Sequence, residues 1–253
     1  MIGFFRRIRK KLADDNQFFK YSRYAIGEIV LVVIGILIAL QINNNNILNQ
    51  ERAVEKTYLI SLKQEFKANK ILLEETIELN NYLIDQAQNL IGLFEKGVLD
   101  TISEGAVVNY FFETFSNEIN YTPRLGVLTE IISSGNLKLI QNQELKHRLA
   151  SFESELEKIK HQENEVNIPR LEIMDIFRNQ ANFKRYLEEL GNEYDWMSIF
   201  EDRSNKELFT TLKMFNSLYF FQITSSAANQ LCYIPVRDDI EITISLIDSE
   251  LNR

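Results

Sequence analysis

An all-α fold is what the sequence predicts: a single N-terminal transmembrane helix followed by an elongated antiparallel helical bundle. Three observations carry this. The 253 residues include only nine Gly and three Pro, too few turn-formers for a many-stranded β fold. One apolar run near the N-terminus is long enough to cross a bilayer. Beyond it, apolar residues recur at sevenfold spacing for tens of residues, the period of a helix face and not of a strand. The chain thus divides into a basic amphipathic cytoplasmic segment, 1–23, a transmembrane helix, 24–46, and a helical body, 47–253.

The first segment is set apart by charge. Residues 1–23 carry seven basic side chains against Asp14 and Asp15, a balance of +5, so the net charge of −8 leaves −13 on the rest of the chain. Phe5, Ile8 and Leu12 fall at i, i+3 and i+7, with Arg6, Arg7, Arg9, Lys10 and Lys11 among them. That pattern suits a helix lying on an anionic lipid surface.

Tyr24 to Ile42 follows. At 1.5 Å per residue its 19 residues span roughly 28 Å, close to the hydrocarbon core. Ile29 to Leu40 contains no polar side chain. A cleaved signal peptide is a poorer reading, because Gln41 spoils the small-residue site that cleavage requires. Basic residues are retained on the cytoplasmic side, which puts the N-terminus inside and the body outside the cytoplasm. On a wheel of about 100° per residue, Glu28, Gly35, Ala39 and Asn46 share one narrow face. Small residues let helices approach and polar groups in a span face other helices. This face is the expected helix–helix interface.

The stretches "FFRRIRKKL" and "YAIGEIVLVVIGILIALQINN", with a weaker echo in "SSGNLKLIQNQELKHRL", resemble a family of uncharacterised single-span membrane proteins of the Bacteroidota. Members commonly read Asn-Asn-Trp-Asn-Glu after the span, where this chain has Asn45 and Asn46. The resemblance implies an inner-membrane anchor and a periplasmic body. It implies no activity.

In the body, Leu59, Phe66, Leu73, Ala87 and Phe94 repeat at multiples of seven, as do Leu62, Leu83 and Leu90, and Ile77, Ile84 and Ile91 widen the stripe. This predicts one long helix from Leu48 to Lys96, ended by Gly97. A helix over about 103–117 follows, with Phe111, Phe112 and Phe115 as its apolar face. Thr122-Pro123 reads as a cap and first residue of another, running to Ser134 and stopped at Gly135. Leu137 to Ile140 reads as a short strand-like or turn segment. Asn142 to Leu190 reads as a second long helix, kinked or divided at Pro169. Ser204 to Glu207 reads as a capping box opening a third long helix through Gln230, interrupted at Pro235 and resumed to the C-terminus. Only Ile240 to Leu246 alternates as a strand would. Met214 to Ile223 is the most aromatic stretch of the body; it fits a fully buried central helix or an exposed stripe for a partner.

Catalytic signatures are absent. There is no phosphate loop, no dinucleotide fingerprint, no HExxH and no GxSxG. His147 and His161 stand fourteen residues apart, about 21 Å along one helix, too far to share a metal. Cys232 lies in an apolar context and reads as a small buried side chain. An acidic body does not suit nucleic acid. The expectation is therefore no enzyme and no cofactor. The predicted role is a membrane-anchored structural or interaction protein, with inner-membrane lipids and a second copy or another membrane protein as partners. The alternatives are a periplasmic ligand-sensing module, or an ion-conducting or energy-coupling subunit using Glu28.

Overall fold

The computed structural model describes residues 7, 18–197, 199–200 and 202–253. Among them every regular element is a helix and none is a strand. Apart from Arg7, which is helical and exposed, the amphipathic segment expected at Phe5, Arg6, Ile8, Arg9, Lys10, Lys11 and Leu12 lies outside the described residues. The chain divides into two compact units, 1–57 and 58–253.

Helix α1, Phe18–Gly92, belongs to both units. In the first, the large apolar side chains from Ile29 to Leu40 are 47–73% exposed, on every side of the helix. This is the one helix among the described residues that is long and apolar enough to cross a membrane.

The second unit is built on residues 58–92 of α1, on α4 (Gln143–Gln180) and on a C-terminal pair. Between the first two lie α2 (Glu104–Phe115) and α3 (Gly126–Ser133). A short helix α5, Phe183–Glu189, follows α4, and the C-terminal pair is α6, Leu212–Ala228, and α7, Ile234–Leu251. Cross-links fix the chain directions. Along α1, Lys63, Lys70, Asn80 and Gln88 meet Asp248, Glu241, Asn229 and Gln222 in turn. Along α4, Asn142, Arg148 and Gln162 meet Glu250, Asp239 and Thr224. The C-terminal pair therefore runs against both long helices, and those two run parallel to each other. Residues 93–142 carry the chain back to make that possible.

The core follows the heptads. Leu59, Leu62, Phe66, Leu73, Leu83, Ala87 and Leu90 are all at most 1% exposed, and the Phe66 ring packs on Phe152 with centroids 4.9 Å apart. Phe111 and Phe115 are fully buried, Phe111 stacking on Phe177 at 4.3 Å.

Several boundaries differ from the sequence reading, each for a definable reason. Helix α1 ends at Gly92, and Gly97, at φ 86°, closes the turn that follows. No helix starts at Pro123, because Asn69 takes both backbone groups of Arg124, accepting its N–H and donating to its carbonyl, each at 2.7 Å. Helix α3 starts at Gly126 instead, its first N–H groups capped by the distant Glu65 carboxylate, to Val127 at 2.7 Å and Leu128 at 2.9 Å. The 137–140 segment is a 3₁₀ turn, Asn136–Leu139.

Pro169 does not divide α4. The hydrogen bond it removes belongs to the carbonyl of Glu165, an exposed residue that solvent can serve. The break comes at Ala181 and Asn182, whose side chain caps α5 by accepting from Arg185 N–H at 3.2 Å. Ser204 caps only a 3₁₀ segment, Asn205–Thr210, and Thr211 caps α6. At Pro235 the helical path is kept by a wide π turn, Asn229–Tyr233, directly before α7. That turn gives room to a ring that would clash with the preceding one and that has no N–H to donate. Ile240 to Leu246 is helical, part of α7, which buries Ile240, Thr243 and Ile247 at three- and four-residue spacing.

Candidate functional site

Glu28, Gly35, Ala39 and Asn46 are all exposed on the uninterrupted α1, spread over roughly 27 Å of its axis. A Cβ added at Gly35 would meet nothing within 4 Å, so the face is open to close approach. The helix brings these four onto one side, as their spacing requires, without bringing them together in one pocket. Asn46 sits one residue beyond the Gln41–Asn45 side-chain hydrogen bond, 3.3 Å.

In the second unit a polar arrangement beside a groove surrounds Glu163 on α4. One of its oxygens accepts from the Tyr121 backbone N–H at 2.7 Å and from the Tyr233 hydroxyl at 2.9 Å. The Tyr121 hydroxyl in turn donates to the Asn69 carbonyl at 3.2 Å. A groove of about 310 Å³ opens here between α4 and residues 120–125, lined by Tyr121, Leu125, Leu156 and Ile159 and by the charged Glu153, Glu157, Lys160 and Glu163. Burial pushes the Glu163 carboxyl above its ordinary value, with Glu118 adding to the rise, and this outweighs the two hydrogen bonds that pull the other way. Burial also pushes both tyrosine hydroxyls up, so they stay protonated donors.

The arrangement can hold a polar or cationic group beside apolar side chains, since Glu153 and Glu157 outnumber Lys160 in the lining. It offers no activated nucleophile. Cys232 is half-buried, with its sulfur 4.0 Å from the Lys158 carbonyl. Burial raises its thiol too, which disfavours the thiolate. His147 and His161 are exposed, and no cluster of His, Cys, Asp and Glu suited to a metal occurs among the described residues.

The heptad reading passed over two side chains that organise this unit. Asn69 and Asn80 are fully buried. Asn80 donates to the Ser225 carbonyl and to the Asn229 side chain, each at 2.8 Å, at the start of the π turn. Both stand in the seven-residue series, Asn69 after Leu62 and Asn80 after Leu73. A polar residue at an apolar register was the available signal.

The family model that matches this chain is described as a family of unknown function (DUF6090), over residues 28–168. The chain belongs to the DUF6090 family. In this DUF6090 chain the matched region holds Glu28, Gly35, Ala39 and Asn46, the two buried asparagines of α1, and Glu163; α6, the π turn and α7 lie beyond it. No curated protein and no solved structure matches the chain.

Proposed function

We propose that this DUF6090 protein is a membrane-anchored structural or interaction protein of the bacterial inner membrane, with a cytoplasmic N-terminus and a periplasmic helical body. On this reading it assembles through the Glu28–Gly35–Ala39–Asn46 face and through its body, an elongated bundle. The observation that carries the reading is the exposure of every large apolar side chain from Ile29 to Leu40. A helix apolar on all sides is buried in protein or in lipid, and this one is not buried within its own chain. The basic head supports the orientation. The resemblance in residues 1–46 supports the bacterial inner membrane.

Two measurements test it. In a Cys232→Ser background, maleimide labelling from outside spheroplasts marks a cysteine placed at position 100 and misses one at position 15; the reverse pattern overturns the orientation. Glu28→Leu and Gly35→Leu leave insertion intact and lower the mass of the particle purified in mild detergent. Unchanged mass in both variants removes the span face from the reading.

A ligand-sensing module is the second reading, favoured by the groove beside Tyr121 and Glu163. Isothermal titration with small organic cations separates the two, since an anchor without a sensing role gives no saturable heat.

A further inference from the structure

Helix α6 carries apolar residues on two opposite faces. Met214, Leu218 and Phe221 are fully buried, while Leu212, Phe220 and Ile223 are 72%, 62% and 61% exposed. At about 100° per residue, Leu212, Tyr219, Phe220, Ile223 and Ala227 fall within a single arc, with Asn216 the one polar side chain inside it. Leu231, 71% exposed, adds a further exposed apolar side chain in the π turn directly beyond α6. Burying only one face would satisfy a surface helix of a folded domain, so the second apolar face is unexplained by the fold.

Two features say what covers it. The first is charge. From Met214 to Val236 there is no Asp, Glu, Lys or Arg, in a chain that is 25% charged and whose part beyond residue 23 sums to −13. Identical copies with that charge repel one another. Near a two-fold axis a residue meets its own counterpart, so any charge there faces itself. From Tyr219 onward the stripe is therefore the place where like can meet like without that penalty, the one charge beside its start, Lys213, being paired with Glu172 at 3.9 Å. The second is area. Leu212, Tyr219, Phe220, Ile223 and Leu231 expose on the order of 600 Å² together, the upper end of the largest patch a monomer leaves bare and most of the roughly 800 Å² per partner of a standard interface.

We propose that this face of α6 is a self-association surface, on which a second copy of the chain docks with Phe220 at the two-fold axis. The proposal rests on the reading of the protein as an assembling membrane-anchored chain, and it names the partner and the surface. The α6 stripe lies outside the matched family region, so the surface is argued from this chain alone.

The test uses the full chain in its membrane, in a Cys232→Ser background. Phe220→Cys should give a disulfide-linked dimer on mild oxidation, and Glu153→Cys, exposed in the groove on α4, should not. Phe220→Glu should raise the dissociation constant of the detergent-solubilised dimer at least about 100-fold. It should leave the melting temperature of the dissociated chain unchanged, because the ring is mostly exposed. Phe220→Leu should retain the dimer. A 220 link to a different polypeptide, or an unweakened Phe220→Glu dimer, overturns the proposal. An oligomer that persists with no 220–220 link sinks this face and leaves the anchored-assembly reading standing. A particle of one 29.7 kDa chain, with Glu28→Leu no different, ends both.

Discussion

Residues 24–57 and 58–92 of helix α1 have the same backbone and opposite surroundings. In the first stretch the large apolar side chains are exposed on every side; in the second, Leu59, Leu62, Phe66 and Leu73 are at most 1% exposed, while Lys63, Glu65 and Lys70 between them reach other helices of the unit and Lys67 faces out. The helical conformation is thus indifferent to what it is solvated by. The distribution of apolar residues around the helix decides that: all round in one case, a stripe in the other. The second stretch also tolerates buried polar groups, because Asn69 and Asn80 find backbone partners there.

That contrast can be broken or sharpened in several ways. Phe66→Ala should cost about 3–5 kcal/mol, since it empties a site packed against Phe152. Urea unfolding followed by circular dichroism reads this, and a cost near zero would mean the stripe is not the core of the body. Asn69→Leu should cost about 2–3 kcal/mol by leaving both backbone groups of Arg124 without their partner. Hydrogen exchange at the Arg124 amide should accelerate in step, and an unaltered amide would show that the asparagine does not hold this loop.

Glu65→Ala should cost about 1 kcal/mol, the ordinary value of a lost helix cap. The loss should appear first as faster exchange at Val127 and Leu128. Equal acceleration throughout the body would instead mean that Glu65 acts on global stability.

Glu163→Gln sharpens the comparison through pH. Burial raises the folded carboxyl above the ordinary value of 4.5, so the folded state keeps this proton to higher pH than the unfolded chain. The stability tied to the group is complete below about pH 4.5 and is lost as pH rises through the raised value. The glutamine still accepts from Tyr121 and Tyr233 and carries no charge to desolvate. The melting temperature of Glu163→Gln should therefore gain on that of the parent as pH is raised from 4.5, and a gain that shrinks instead would reverse the assignment.

The smallest effect is expected in the first stretch. Leu37→Ala, at a side chain 59% exposed, should change the unfolding of the body by less than about 0.5 kcal/mol. A cost comparable to that of Phe66→Ala would abolish the distinction between the two halves of α1.

The long stretches were legible in the sequence and the joints were not. The heptads from Leu59 to Leu90 mark residues that are buried, since a stripe needs no more than helical periodicity to be seen. Thr122-Pro123 satisfied every local rule for a helix start and is not one, because Asn69, more than fifty residues earlier, takes the backbone bonds that a helix would need. The same holds at Ser204. Its hydroxyl donates to Glu104 at 2.6 Å, which also accepts from the Asn205 N–H, and the local capping box gives way to a 3₁₀ segment. Of the two readings of Met214 to Ile223, full burial fails, because Phe220 and Ile223 are exposed.

By itself the sequence determined the all-helical class, the apolar N-terminal helix, the shared face of Glu28, Gly35, Ala39 and Asn46, and the core stripe of α1. Each depends on spacing along one helix, and 3.6 residues per turn is enough to compute it. Only the tertiary structure decided that α1 and α4 run parallel, that Asn69 and Asn80 are core residues, that Glu163 joins Tyr121 to Tyr233, and that α6 keeps a second apolar face uncovered. Those outcomes depend on which distant groups compete for the same backbone bond or the same buried volume, and a one-dimensional pattern does not contain the competitors' positions.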